Sequence, residues 1–225
     1  MSLEDKIKTA ENSGILDVSN MNLYTLPELP SNLIKLRCTD NYLTFLPPLP
    51  SSLKALFCYN NKIRCLPKLP DSLITLYCNH NKLVNMPEFP PFLTSLVCTF
   101  NNIEKMPELP NTLVDLYCGN NKLTTLPELP NSLINLGITG NMWNPIFNNF
   151  MTSEKPIQKI NEYYNHKKQR KALLKGTLSF HHALNIDDEY TLLNNDILSV
   201  VTSYISGEEG YIPEQICTLK QKCVL

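Results

Sequence analysis

A chain of 225 residues is long enough for one sizeable domain with an appendage, and its formal net charge of −1 gives no field that would draw nucleic acid or an anionic membrane. No run of about 18 apolar residues is present to span a bilayer. The opening MSLEDKIKTAENSG has acids where a secretory signal needs an apolar stretch, so the eight cysteines are expected as free thiols in a reducing, cytoplasmic compartment.

The first predicted element is a short helix. Ser2 and Asp5 stand at capping-box spacing, and Leu3, Ile7 and Ala10 fall on one side of a helix able to cover whatever follows. Residues 1–12 are therefore read as an N-terminal cap.

Residues 13–146 repeat. LPELP at 26–30 returns as LPPLP (46–50), LPKLP (66–70), MPEFP (86–90), MPELP (106–110) and LPELP (126–130), a period of twenty residues without a slip. Superposed, the units read L-P-x-L-P-x-x-L-x-x-L-x-C-x-x-N-x-L-x-x. Cys38, Cys58, Cys78, Cys98 and Cys118 fill one column, and Asn41, Asn61, Asn81, Asn101, Asn121 and Asn141 fill another. Val18 and Ile138 hold the cysteine column at its two ends, which marks it as a small apolar position.

In LxC the leucine and the cysteine are two residues apart, on one face of a strand, and both are expected in the core. Stacked strands set the sulfurs in a row about 4.8 Å apart with parallel Cβ vectors. That arrangement suits neither tetrahedral zinc nor disulfides between neighbours. His80 is not repeated in its column and is read as a turn residue, while Cys65 lies outside the cysteine column.

The asparagines answer a different need. Each unit must turn out of its strand and strand backbone groups inside a solenoid, and an amide offers donors and an acceptor to its own and the neighbouring coil. The return side carries two prolines three residues apart, which excludes a helix and predicts extended, polyproline-like backbone with both leucines of LPxLP turned inward. Fourteen of the seventeen prolines fall between residues 27 and 130, as this role requires.

The L-x-x-L-x-L-x-x-N-x-L pattern resembles that of leucine-rich repeats, with cysteine at the second leucine of L-x-L. The twenty-residue LPxLP unit is similar to the short repeats of secreted bacterial effectors. The cysteine variant and the Asn- and Lys-rich texture resemble leucine-rich-repeat proteins of giant DNA viruses and some protists. The resemblance implies an α/β-class solenoid of about seven units, with a parallel β-sheet on its concave face, an extended convex side and a helical C-terminal appendage. It also implies a protein partner, and host cytoplasm as the site of action for a viral or effector protein.

Strand alternation predicts the outward residues of the concave face. Phe57, Tyr59, Tyr77 and Tyr117 form an aromatic stripe there, at a density typical of interface anchors. Lys35 and Arg37 stand at one end, Asp115 toward the other, and Asn79 lies between. These eight are the predicted partner-binding residues.

Trp143, Ile146, Phe147, Phe150 and Met151 are predicted to seal the last coil, and residues 147–225 to form a helical cap or appendage. A helix is expected from the Thr152/Ser153 cap to Gly176, with Ile157, Ile160 and Tyr164 on its apolar face and the basic run KKQRK (167–171) at a solvated end. A second helix is expected over 191–207. Its Leu193, Ile197, Leu198, Val201, Tyr204 and Ile205 resemble the opening of an F-box, although Asn194 and Asp196 depart from that pattern and the later part of the motif is missing. The resemblance implies contacts to a Skp1-like protein through Ile197, Val201 and Tyr204. An ordinary capping helix is the competing reading. The terminal KCVL is not expected to be prenylated, because Cys223 is third rather than fourth from the end.

No phosphate-binding glycine loop, H-E-x-x-H or G-x-S-x-G motif occurs, and His181-His182 has no partners at metal spacing. Bacterial effectors with this repeat often carry a ligase domain with a C-x-D nucleophile. Cys217 and Cys223 do not match it. The expectation is thus a non-enzymatic protein-interaction module without metal or cofactor, binding neither nucleic acid nor membrane. The alternative is a substrate adaptor for a Skp1-type ubiquitin ligase.

Overall fold

Each twenty-residue unit becomes one coil, and the coils stack through a three-residue strand. The structure is a computed structural model that describes residues 2–144, 147–148, 155–168 and 172. The chain divides into two compact units, Met1–Asn161 and Glu162–Leu225.

The first unit opens with helix α1 (Leu3–Ser13). The Asp5 N–H donates to Ser2 Oγ at 3.1 Å and the Ser2 N–H donates back to Asp5 Oδ2 at 3.0 Å, so the expected capping box forms. The Ser2 hydroxyl, donating to Asp5 Oδ2 at 2.7 Å, and then the Ser2 N–H hold the Asp5 carboxyl below its usual range. Gly14 ends the helix at φ 68°, a left-handed conformation that glycine adopts without penalty, and its N–H caps Ala10 O at 2.8 Å. Ala10 is fully buried, and Leu3 and Ile7 are half-buried. Lys6 Nζ donates to Asp17 O and Asn32 Nδ2 to Glu11 O, tying the helix to the first coils.

Seven strands follow: β1 (Ile15–Asp17), β2 (Lys35–Arg37), β3 (Ala55–Phe57), β4 (Thr75–Tyr77), β5 (Ser95–Val97), β6 (Asp115–Tyr117) and β7 (Asn135–Gly137). They form one parallel sheet in sequence order, and every register pairs residues twenty apart, as in Leu56↔Leu76. The central leucine of each strand from β1 to β6 is buried, and so is every cysteine of the column. Burial pushes the thiols of Cys38, Cys78 and Cys118 up to about 12, and those of Cys58 and Cys98 well above the ordinary value. Cys65 is exposed.

A single coil has one apolar face and nothing of its own to cover it. Leu53, Leu56, Cys58, Ile63, Leu66 and Leu69 of one coil are buried because the next coil lies on them. At about 1.5–3 kcal/mol for each fully buried leucine or isoleucine, stacking is the dominant stabilisation.

The asparagine column forms the expected ladder. Asn81 Nδ2 donates to Cys58 O, Cys78 O and Asn79 O at 3.0, 3.1 and 3.3 Å, and its Oδ1 accepts the Ile63 N–H at 2.9 Å. The same set recurs around Asn41, Asn61, Asn101 and Asn121. Among the described residues no buried side-chain nitrogen or oxygen lacks a hydrogen-bond partner.

On the convex side the LPxLP segments run without helix or strand. The second proline has a further role: its carbonyl accepts the N–H three residues on, as in Leu73 N to Pro70 O at 3.0 Å. The first leucine position is buried in most coils. The second is buried as Leu29, Leu69 and Leu129, whereas Leu49, Phe89 and Leu109 are half-buried, so the inward turn of both leucines is complete in only some coils.

A second ladder has no counterpart in the sequence reading. Ser72 Oγ donates to Ser51 O and Leu53 O, both at 2.7 Å, and Ser52, Thr112 and Ser132 occupy the same position in their coils. Phe92 interrupts it. Past the last strand, Phe147 is buried against Trp143, with ring centroids 6.3 Å apart, and its N–H donates to Asn144 Oδ1 at 2.9 Å. Residues 156–161 are helical, Ile160 is buried, and Asn161 Oδ1 accepts the Leu129 N–H at 3.1 Å. In the second unit residues 162–168 are helical, and Tyr163 and Tyr164 meet edge to face. Ile146, Phe150, Met151 and the F-box-like segment 191–207, with Ile197, Val201 and Tyr204, lie outside the described residues.

Candidate protein-binding face

The outward positions of the strands form a continuous sheet surface because successive coils are in strict register. Phe57 and Tyr77 are adjacent on β3 and β4, and their rings meet edge to face with centroids 5.2 Å apart and planes at 78°. The Lys35 ammonium lies 5.3 Å and the Arg37 guanidinium 5.4 Å from the Phe57 ring centroid. Both cations are therefore engaged with the aromatic ring, within the range of a cation–π contact.

Tyr117 stands two strands from Tyr77, with Val97 between them on β5. It is 39% exposed, and its ring lies over Gly137: a Cβ added there would come 2.5 Å from Tyr117 Cδ1. Glycine in that column therefore gives the tyrosine its room. Tyr59 and Asn79 are half-buried beside the stripe. Asp115 Oδ1 accepts from Asn135 Nδ2 at 2.6 Å. At the far end Asp17 sits below its usual carboxylate range: burial pulls it upward, but the Ser19 N–H and the charges of Arg37 and Lys6 outweigh that pull. All eight predicted residues thus lie on one face, with Phe57 and Tyr77 in direct contact and Tyr117 apart from them.

Sequence reasoning missed the rim of this face. One column takes a left-handed backbone in every coil: Asn20, Asp40, Asn60, His80, Phe100 and Asn120 have φ between 53° and 56°, and Gly140 has φ 74°. The signal was present, because Asn, Asp and His are enriched in this conformation and Gly adopts it freely. Phe100 breaks that pattern, in the coil adjacent to His80. Their rings lie 4.4 Å apart at 10° and are exposed, Phe100 by 49%. The left-handed conformation costs an ordinary residue about 1–2 kcal/mol. A ring stack returns about 0.5–1.5 kcal/mol. The two aromatics therefore give the fold no net stability that asparagines would not.

Among the described residues no group of His, Cys, Asp and Glu could hold a metal ion, and no helix is long and apolar enough to cross a membrane. No protein-family model and no curated protein matches the chain. Solved structures do. YopM from Yersinia enterocolitica matches at 41% identity with a TM-score of 0.61, over 62% of this chain and 32% of YopM. The leucine-rich-repeat domain of a Shigella effector matches at 35% identity with a TM-score of 0.59, over 62% of this chain and 64% of that domain. YopM from Yersinia pestis, described as a leucine-rich effector protein, matches at 35% identity and a TM-score of 0.60, over 62% of this chain and 41% of that one. The chain thus spans between a third and two thirds of the length of these proteins. Together with the parallel sheet and the twenty-residue register, these likenesses make the repeat region a leucine-rich-repeat solenoid of the short LPxLP type, similar to the repeat domains of bacterial effectors.

Proposed function

We propose that the chain is a non-enzymatic interaction module that holds a partner protein or peptide against the concave face. Phe57, Tyr59, Tyr77 and Tyr117 supply the anchoring area, and Lys35, Arg37, Asn79 and Asp115 set the orientation. The observation that carries this reading is the contiguous Phe57–Tyr77 pair, capped by two cations on a sheet surface with no element packed over it among the described residues. Interface energy concentrates in such aromatic and arginine anchors. The likeness to leucine-rich effector proteins supports the same class of function, and nothing favours the Skp1-type adaptor alternative.

The test is a triple variant, Phe57→Ala/Tyr77→Ala/Tyr117→Ala, assayed against a partner isolated with the full chain. Each anchor truncation should cost about 2 kcal/mol or more in binding, so the dissociation constant should rise at least a hundredfold. The melting temperature should fall by only a few degrees, because these rings stand outside the leucine and cysteine core. An unchanged dissociation constant would refute the reading.

A further inference from the structure

We infer that an electropositive band over β2, β3 and β4 takes an acidic segment of the partner, a short run of Asp and Glu beside an aromatic or aliphatic residue. This rests on the concave-face reading and names the chemistry of its partner. The first support is the distribution of charge. Residues 35–85, which carry those three strands and the turns after them, hold seven Lys and Arg against Asp40 and Asp71, a formal net charge of +5. Residues 2–34 and residues 86–144 each carry −3. A chain of net charge −1 thus concentrates positive charge in the coils that present Phe57, Tyr59 and Tyr77. Of the seven cations, Lys68 lies with Asp71 on the convex side and Lys54 precedes β3. The other five lie on the concave face or in the turns that follow it.

The second support is how those five are held. Lys35 and Arg37 lie on the Phe57 ring, and the Lys62 ammonium lies 4.8 Å from the Tyr42 ring centroid. A ring face orients a cation without neutralising it, so its N–H donors stay open to a carboxylate. Lys62, Arg64 and Lys82 are exposed in the turns after β3 and β4, where the bond from Lys82 N to Ile63 O at 2.9 Å sets the two coils side by side. Like charges on adjacent coils repel, so the grouping does not stabilise the solenoid. Among the described residues none of the five forms an ion pair with a carboxylate. The nearby acids have other partners: Asp40 accepts from Asn60 Nδ2 at 2.7 Å and Asp17 from the Ser19 N–H at 3.1 Å. Asp17 offsets part of the Arg37 charge, and Asp115, beside Ser95 on β6, bounds the band on its far side. The third support is width. Coils about 4.8 Å apart give a band of roughly 10–15 Å, the reach of three or four residues of extended peptide at about 3.4 Å each. A longer polyanion, such as single-stranded nucleic acid, meets carboxylates on either side.

The experiment titrates the full chain into acetyl-Glu-Asp-Trp-Glu-Asp-amide bearing an uncharged dye and reads fluorescence anisotropy. The neutral counterpart acetyl-Gln-Asn-Trp-Gln-Asn-amide and an oligothymidylate are the comparisons. At low salt the acidic peptide should bind at least about tenfold tighter than the neutral one, and the difference should vanish toward about 1 M salt, where the Debye length is about 3 Å. Lys62→Gln/Arg64→Gln/Lys82→Gln should weaken the acidic peptide about tenfold, leave the neutral peptide unchanged and keep its melting temperature, because these side chains are exposed. Phe57→Ala/Tyr77→Ala should weaken both peptides. Acidic and neutral peptides bound alike, no binding of the acidic peptide at low salt, or no loss in the glutamine variant would overturn the acidic partner. An oligothymidylate bound as tightly as the acidic peptide would overturn it too. If the two peptides bind alike and both are lost in Phe57→Ala/Tyr77→Ala, the concave-face reading stands without the acidic partner. Acidic-peptide binding that falls in the glutamine variant and is untouched in Phe57→Ala/Tyr77→Ala would overturn the concave-face reading and not the band.

Discussion

Asn81→Ala tests the internal ladder where the structure assigns it a definite cost. The amide contacts four backbone groups, but they do not lose equally. Cys58 O keeps a second donor in Asn61 Nδ2, Cys78 O keeps Asn101 Nδ2, and Asn79 O keeps the Asn60 N–H. The buried Ile63 N–H has Asn81 Oδ1 as its partner and would be left unpaired. Stranding one buried donor costs about 1–3 kcal/mol, and weakening three carbonyl contacts adds to it, so a total of about 3 kcal/mol is expected. Urea unfolding of Asn81→Ala should show that loss as a lower midpoint, and a thermal melt should show a fall of about 6–12 °C. Asn79→Ala is the control two residues away. Its side chain is half-buried and makes no hydrogen bond among the described residues, so the change should stay within about 0.5 kcal/mol. Equal losses at the two positions would refute the ladder's role, and so would a loss below about 1 kcal/mol in Asn81→Ala.

The remaining predictions concern the cysteines and the second ladder. In the native protein a maleimide should label Cys65 rapidly and Cys58, Cys78 and Cys98 only on unfolding, and Cys78→Ala should cost about 1 kcal/mol through a small cavity, read by urea titration. Burial raises the native thiols above their ordinary value near 9.0, Cys78 to about 12, while the unfolded chain ionises near 9.0. The unfolded state therefore binds fewer protons than the native state at alkaline pH, and stability should be level below about pH 9 and fall progressively toward pH 12, less steeply in Cys78→Ala. Ser72→Ala removes a hydroxyl that donates to Ser51 O and Leu53 O and should cost about 1 kcal/mol, whereas Phe92→Ser should restore the broken rung and stabilise by about 0.5–1.5 kcal/mol, both measured as shifts in urea midpoint.

The repeat period made most of the fold legible, because a twenty-residue offset without slips leaves a single strand register, and Val18 and Ile138 disclosed the chemistry of the cysteine column. The asparagine ladder was legible for a similar reason: an amide that recurs after every strand has a backbone to satisfy. Two features were not read. The left-handed column carries its signal in Asn20, Asp40, Asn60, Asn120 and Gly140, but His80 and Phe100 hide it in the central coils, and His80 taken alone gives no sign of a ring stacked beneath it. The hydroxyl ladder is masked by Asn32 and Phe92, and serine beside proline is so ordinary in a turn that its two carbonyl partners emerge only from stacking. The engagement of Lys35 and Arg37 with Phe57 likewise depends on a cross-strand distance. Alternation places all three outward but does not bring them together.

The claim that the concave face is the binding surface is tested most directly by site-specific photocrosslinking. A benzoylphenylalanine is placed at Tyr77 on the sheet, or at the exposed Lys68 on the convex side, and the full chain is irradiated with its isolated partner. A discrete covalent complex from position 77, absent from position 68 and lost when Phe57 and Tyr117 are also changed to alanine, is the predicted result. Crosslinking from position 68 with none from position 77 would contradict it.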